Sequence, residues 1–405
     1  MGKSIKIAYL GQVAPFDPEF VEQPGYGRAG TLAQLGFIEA LQASKTGLDC
    51  AWGFRPISHW PKAKIKFERM RRLVLPCGAK LTLFPLVNHF FIREISRYFI
   101  IACSLIAWTV SRFGYKRVLV VYNLTHPNGV VWLRLLTWLM HIRLVPIVYD
   151  MAQITTFRKS FLFRLLEPDW LDRAHERFIP LCDGLMPITD AIARDFAPQL
   201  RYLRVDGGVG EAVISRLPPI ELRHGGDEFV LFYAGALEKW NSIDTLLDVM
   251  SVDDNPRLRL WIAGGGSEES LVRDRVASDP RIVYLGYLDP DELYRRYGEA
   301  DVLINLRCIT DPGLRYHYPS KTFEMLAMGR PLIISNSAHT KECYGKYCKV
   351  IDECDVQSLF TAIVFFMRMT PEERMDYGKR AREYILGLRR WCKWGLAIGE
   401  YLESL

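Results

Sequence analysis

The chain is a succession of short apolar runs of β-forming residues, each followed by a segment whose apolar residues recur at helical spacing, and the alternation runs through both halves. Such alternation is the signature of parallel sheets wrapped by helices. In the first half the predicted strands are Ile5–Leu10, Arg117–Tyr122, Pro146–Tyr149 and Gly184–Ile188. In the second they are Phe229–Tyr233, Leu258–Ala263, Ile282–Leu285, Val302–Asn305 and Pro331–Ile334, with helical periodicity between them, as in Ile243–Met250 and Thr322–Met328. Two Rossmann-like domains follow. The joint falls in Gly207–Asp227, where Gly207, Gly208, Gly210, Pro218, Pro219, Gly225 and Gly226 interrupt any periodicity.

Length agrees: 405 residues exceed one ordinary core and suit two domains of roughly 200 residues each. The predicted division is 1–210, 211–385 and a closing helix over 386–405. Charge is unevenly shared. Residues 1–210 carry 27 Lys and Arg against 16 Asp and Glu, a balance of +11, while the rest of the chain stands at −5. Within the basic half, Lys62, Lys64, Lys66, Arg69, Arg71 and Arg72 are interleaved with Ile65, Phe67 and Met70. That mixture suits either a solvated helix face or contact with an anionic membrane surface.

No segment reaches the roughly 18 to 20 consecutive apolar residues of a membrane span. The longest candidate, Tyr98–Val110 between Arg97 and Arg112, reads as a buried core helix rather than a membrane contact. Ser4–Leu10 has none of the features of a secretory signal, so a cytoplasmic protein is expected. The nine cysteines include no Cys-x-x-Cys pair, and Cys343, Cys348 and Cys354 lack zinc-site spacing, so reduced structural thiols and no metal are expected. Nothing resembles a nucleic-acid-binding module.

The first glycine cluster, Gly25-Tyr26-Gly27-Arg28-Ala29-Gly30, fits the dinucleotide pattern G-x-G-x-x-G. That turn must follow its strand directly, so that a pyrophosphate reaches the helix N-terminus. Here the fourteen residues Gly11–Pro24 intervene. What remains is a glycine loop leading into a helix from about Gly30, which suits either phosphate contact or a plain surface loop.

The second half holds the denser signal. Tyr233-Ala234-Gly235 ends a strand in glycine ahead of Lys239, Leu260–Gly266 repeats strand then glycines, and Ile282–Gly286 does so again. Next comes Tyr318-Pro319-Ser320-Lys321-Thr322-Phe323-Glu324, where Pro319 and Ser320 suit a helix start and Gly329 its end. A short helix would then present free N–H groups and the Lys321 ammonium together, the makings of a diphosphate site. Glu324, one turn on, suits either ribose hydroxyls or a favourable place on the helix dipole.

From Phe229 to Ile334 these landmarks resemble, in order, those of the retaining GT-B glycosyltransferases grouped as family 4. Tyr233-Ala234-Gly235 is similar to their first strand and glycine turn of the second domain, and Ile262–Gly266 to their IAGxG turn. Val283–Tyr287 with Leu293 and Ala300-Asp301-Val302 resembles VxFLGxV…L…ADV, and Pro319–Ile334 the PxKxxEYLAxGxPVI donor-binding helix. The first half matches more loosely, through Gly27 and the helix after it and through Val145–Asp150. The resemblance implies an α/β GT-B fold, two Rossmann-like domains facing across a cleft, with a last helix from about Trp391 to Tyr401 crossing back to the first.

It also implies site residues. Glu324 would bind donor ribose, and Lys321 with Ser320 and Thr322 the diphosphate. Backbone near Gly286 and Tyr287 would hold the base. The turn near Gly27 with Arg28, together with Gly235 and Lys239, would meet the phosphates, and Lys321 and Asp150 are the candidate catalytic residues. No cofactor is implied beyond the donor itself, a UDP- or GDP-sugar. The expected acceptor is a glycan or a lipid-linked sugar in cell-surface polysaccharide or glycoconjugate synthesis, with an anionic membrane surface as a further partner.

Several positions depart from the family pattern. Tyr316 stands where the first of two glutamates is common, Ala236 where an arginine follows the first glycine turn, Asn241 where a lysine is usual, and Ala152 where a histidine is frequent. These losses also fit a non-catalytic relative acting as a nucleotide-binding or assembly subunit.

Overall fold

The computed structural model describes residues 4–13, 28–58, 60–89, 92–123, 127–149, 178–222, 227–307, 315–319 and 321–405. It divides into two units, Met1–Gly210 with Trp391–Leu405, and Glu211–Arg390.

Unit 1 runs β1 (Ile5–Gln12), α1 (Arg28–Ala43), β2 (Cys50–Phe54), β3 (Phe67–Glu68), β4 (Arg71–Val74), β5 (Lys80–Leu83), β6 (Leu86–Val87), α2 (Arg93–Ser111), β7 (Lys116–Tyr122), α3 (Pro127–Leu139), β8 (Ile142–Val148), β9 (Met186–Pro187) and α4 (Asp190–Phe196). Its sheet has the order β4-β5-β2-β1-β7-β8-β9, parallel throughout except for the β4–β5 pair at the edge. The central strands are buried over most of their length, for instance Val118–Tyr122 of β7, as expected of a parallel sheet covered on both faces.

Two expectations are corrected here. The Tyr98–Val110 run is helical within α2, but the helix buries only Arg93, Ile101, Leu105 and Trp108, and Ile95, Phe99, Ile106 and Val110 face outward. The apolar run encodes two faces, and the sheet covers one. The Lys62–Arg72 stretch is not helical. Turns and bends over 60–64 lead into β3, and Arg71 and Arg72 open β4, with Lys62, Lys64 and Lys66 exposed. The strands β2 and β5 were missed because Gly53 and the shortness of both blur their pattern.

Unit 2 runs α5 (Glu211–Ile214), β10 (Phe229–Ala234), α6 (Ile243–Asp248), β11 (Leu258–Ala263), α7 (Glu269–Ser278), β12 (Ile282–Tyr284), α8 (Pro290–Glu299), β13 (Val302–Asn305), α9 (Lys321–Ala327), β14 (Leu332–Ser335), α10 (Thr340–Tyr344), β15 (Lys349–Ile351), α11 (Val356–Met367) and α12 (Pro371–Leu388). The sheet order is β12-β11-β10-β13-β14-β15, every pair parallel. Every residue of β10 is buried. Local chemistry sets the helix starts: Asp289 accepts from the N–H groups of Asp291 and Glu292 ahead of α8, and Thr370 with Glu373 forms a capping box on α12.

Asp301, a family landmark, is a structural group: its carboxylate accepts from Val230 N at 2.8 Å and pairs with Arg374 at 3.2 Å. The last helix, α13 (Trp391–Ser404), belongs to unit 1. It crosses α1 closely because glycine stands at the contacts. A Cβ on Gly36 would lie 2.2 Å from the Trp391 ring, and one on Gly395 would lie 2.7 Å from Ala43 backbone. Tyr401 Oη accepts from Leu185 N at 2.7 Å and donates to Arg201 O at 2.8 Å, which fastens the far end of the helix.

Candidate functional site

In a doubly wound sheet, ligands bind beyond the carboxyl ends of the strands where the winding direction reverses. In unit 2 that switch lies between β10 and β13, neighbours in the sheet although β11 and β12 intervene in sequence. The glycine turns after β10, β11 and β12 meet beside it. Gly235 N donates to Ala263 O at 3.0 Å, Leu237 N to Gly265 O at 3.0 Å, and Gly264 N to Gly286 O at 2.8 Å. Close approach explains the glycines. Gly264 has φ +128, and a Cβ there would fall 1.8 Å from Gly235 O; Gly286 has φ +66.

Across the switch stands Lys321, the first residue of α9, whose ammonium donates to Ala234 O at 3.1 Å. The side chain therefore spans from β13's connection to the carboxyl end of β10, next to the Gly235 turn. An aromatic cluster holds the chain entering α9: Tyr318 stacks on His339 with centroids 4.6 Å apart, and Phe323 meets Tyr344 edge-on at 5.4 Å. Thr322 Oγ1 and Asn305 Nδ2 are buried near these ends without a hydrogen-bond partner among the described residues. Buried polar atoms are ordinarily satisfied, so each of these calls for a water, an ion or a ligand group. Glu324, one turn further on α9, is half-buried.

Lys239 is exposed on the short turn Lys239–Asn241. Asn241, in the place of the family lysine, is buried and donates to Ala236 O at 2.8 Å; the Tyr233 hydroxyl donates to the same oxygen at 2.8 Å. The two bonds fix the turn after β10, so these departures build structure there. Tyr287 is 82% exposed beyond the end of β12. Arg28 opens α1, while Gly27, Asp150 and Ser320 lie outside the described residues.

Sequence reasoning missed Arg307, which lies two residues after the end of β13. Its N–H donates to Ser335 Oγ at 2.9 Å. Because β13 runs parallel and next to β10, Arg307 leaves the sheet on the same side as the carboxyl end of β10; burial pushes the Tyr233 phenol up, and the positive charge of Arg307 pulls against that shift. The only available signal was a lone arginine just past a strand at the switch.

Residues 228–368 match the family of group 1 glycosyl transferases. No curated protein matches the chain in sequence. Among solved structures, the sucrose-phosphate synthase of Thermosynechococcus elongatus superposes with a TM-score of 0.69 at 15% identity, covering 98% of each chain. The Anabaena protein HepE in complex with UDP gives 0.62 at 13% identity over 99% of this chain and 100% of its own. An α,α-trehalose-phosphate synthase (UDP-forming) from Burkholderia xenovorans, bound to glucose-6-phosphate, gives 0.65 at 11% identity over 98% and 99%. The likeness extends over nearly the whole chain and shows the GT-B fold.

Proposed function

From a chain with the GT-B glycosyltransferase fold whose second unit carries a group 1 glycosyltransferase domain, we propose that the protein transfers a sugar from a UDP- or GDP-sugar, with retention, to a glycan or lipid-linked acceptor in cell-surface glycoconjugate synthesis. The observation that carries this reading is the position of the Lys321 ammonium, 3.1 Å from Ala234 O at the switch between β10 and β13. When the bond from the anomeric carbon to the donor's diphosphate breaks, negative charge grows on the leaving oxygens. Cations and N–H groups already in place lower that barrier. Lys321 and Arg307 supply the cations, and the three glycine turns let phosphate approach the backbone. Arg307 takes over the task of the arginine replaced by Ala236. No resident metal is invoked in this scheme, and Asp150 is assigned to the acceptor side.

Retention follows in this proposal because the leaving phosphate oxygen itself accepts the acceptor's proton on the same face of the sugar. HepE, solved with UDP and with UDP-glucose, supports a uridine donor as the first to try. The experiment is a panel of nucleotide-sugars screened by thermal shift, followed by turnover of the hits and NMR of the product anomer. A donor at a hundred times its Kd adds about 2.7 kcal/mol of stability. Nucleotide binding without donor hydrolysis or transfer to any acceptor would instead identify a non-catalytic subunit.

A further inference from the structure

Helix α2 of unit 1 is apolar on both sides. Its inner stripe, Ile101, Leu105 and Trp108, is buried in the core with β1, β2 and β7. Its outer stripe is Ile95, Phe99, Cys103, Ile106 and Val110, which at 3.6 residues per turn fall within an arc of about 80°. Ile95, Phe99 and Val110 are 70%, 69% and 70% exposed and Ile106 50%, and from Tyr98 to Ser111 the helix carries no charge. Ile92 and Phe113, 49% and 86% exposed, extend the stripe past both ends. The adjacent helix α3 repeats the pattern with Val131, Leu135, Trp138 and Leu139, 44% to 62% exposed. Tyr98 of α2 and Trp132 of α3, with centroids 5.2 Å apart, join the two into one surface.

A helix lying on a sheet ordinarily turns a polar face to water, and contiguous apolar patches mark interaction sites. The occupant is identified by what borders this patch. Arg93, in the first turn of α2, donates to Ile57 O at 2.9 Å and Asn88 Oδ1 at 3.2 Å; Asn88 in turn donates to Ile65 O at 2.8 Å and Lys66 O at 2.8 Å. The basic stretch is thereby fastened to the start of α2. Lys62, Lys64, Lys66 and Arg69 are exposed there, with Phe67 and Met70 exposed among them, and Lys116 is exposed at the other end after Phe113 and Tyr115. An apolar face rimmed by lysine and arginine complements a bilayer, whose acyl region is apolar and whose anionic headgroups attract cations.

We propose that the outer faces of α2 and α3 lie in the headgroup boundary of an anionic membrane, with Lys62, Lys64, Lys66 and Arg69 on its phosphates. The helix lies along the surface and does not span it, because its inner stripe belongs to the sheet core and Trp108 Nε1 is bound to Asp49 at 2.7 Å. This deepens the reading of a lipid-linked acceptor, and its test uses neither donor nor acceptor, so either can fail alone.

The full chain is sedimented with vesicles of phosphatidylcholine alone and of phosphatidylcholine mixed with phosphatidylglycerol. Binding is expected to the anionic vesicles and to fall with salt. The double variant Phe99→Asp with Ile106→Asp, at exposed sites that leave the core intact, should bind at least about tenfold more weakly, since each loses a large apolar side chain from the boundary. Lys62→Glu with Lys64→Glu and Lys66→Glu should abolish the preference for anionic lipid. Cys103, exposed on the stripe, should be shielded from a water-soluble maleimide by anionic vesicles, read residue by residue by mass spectrometry. Circular dichroism and melting confirm that each variant folds. The proposal is overturned by absence of vesicle binding, by equal binding to both vesicle types, or by Cys103 remaining reactive on vesicles. It is equally overturned if the double variant binds like the native chain, or if it only separates a dimer formed through this face.

Discussion

Lys321 Nζ lies 3.1 Å from the main-chain oxygen of Ala234, a residue 87 positions earlier, and so joins the helix after β13 to the end of β10. In the proposed reaction this ammonium faces the leaving diphosphate. Lys321→Ala is expected to remove most turnover and to weaken nucleoside diphosphate binding about tenfold or more, the worth of a charge-assisted hydrogen bond of roughly 1.5 to 3 kcal/mol. Glu324→Gln should weaken donor use and leave the melting temperature unchanged. Calorimetric binding of UDP and GDP checks both; unchanged kinetics in the two variants would place the donor elsewhere.

Arg307 is expected to matter for the same charge. Arg307→Ala should lower kcat/KM for the donor by about tenfold to a hundredfold, with Arg307→Lys recovering part of the loss, since a point charge replaces a planar fork. Steady-state kinetics at varied donor concentration read the effect. No change in kcat/KM would return Arg307 to a purely structural position beside Ser335.

Gly264 should tolerate no side chain. With φ +128 and Gly235 O where a Cβ would stand, Gly264→Ala is expected to cost upward of about 2 kcal/mol, whereas Gly387→Ala, in α12 with open space around it, should be neutral or stabilising by about 0.5 to 1 kcal/mol. Urea denaturation of the two variants makes the comparison. Equal stabilities would mean that the turns after β10 and β11 do not meet as described.

Asp49 gives unit 1 an acid-sensitive joint. Burial alone would raise its carboxyl, but hydrogen bonds from Arg112 at 2.8 Å and Trp108 at 2.7 Å outweigh that and hold it below the usual carboxylate range. A depressed folded-state value contributes stability above the unfolded value, near pH 4, and loses it as pH falls through the folded one. Asp49→Asn should therefore destabilise the protein at neutral pH by about 1 kcal/mol, a figure reduced for the partly exposed Arg112, and the difference from the native chain should shrink below pH 4. Melting curves from pH 3 to 7 decide it, and a constant difference across that range would exclude the ionic contribution.

Much of the fold was legible in the sequence because it is written locally. Leu258–Ala263 and Val302–Asn305 are strands at the bounds their apolar runs indicate, and the helix after Pro319 starts at Lys321. A strand buried on both faces must be largely apolar, and a helix must repeat near every fourth residue, so these patterns need no knowledge of neighbours. The order of the three glycine turns and the Lys321 helix is likewise local, and it supplied the parts of the candidate site.

Contacts between distant segments were decided by tertiary structure alone. That Lys321 reaches Ala234, and that Arg307 leaves β13 beside the carboxyl end of β10, depend on which strands become neighbours, a choice made by sheet order and absent from spacing. The same limit explains α2. Its run of apolar residues was sound evidence for a helix, yet periodicity reports only which side chains share a face. Whether a face is covered depends on what packs against it, and here the sheet covers Ile101, Leu105 and Trp108 and leaves Ile95, Phe99 and Val110 outside.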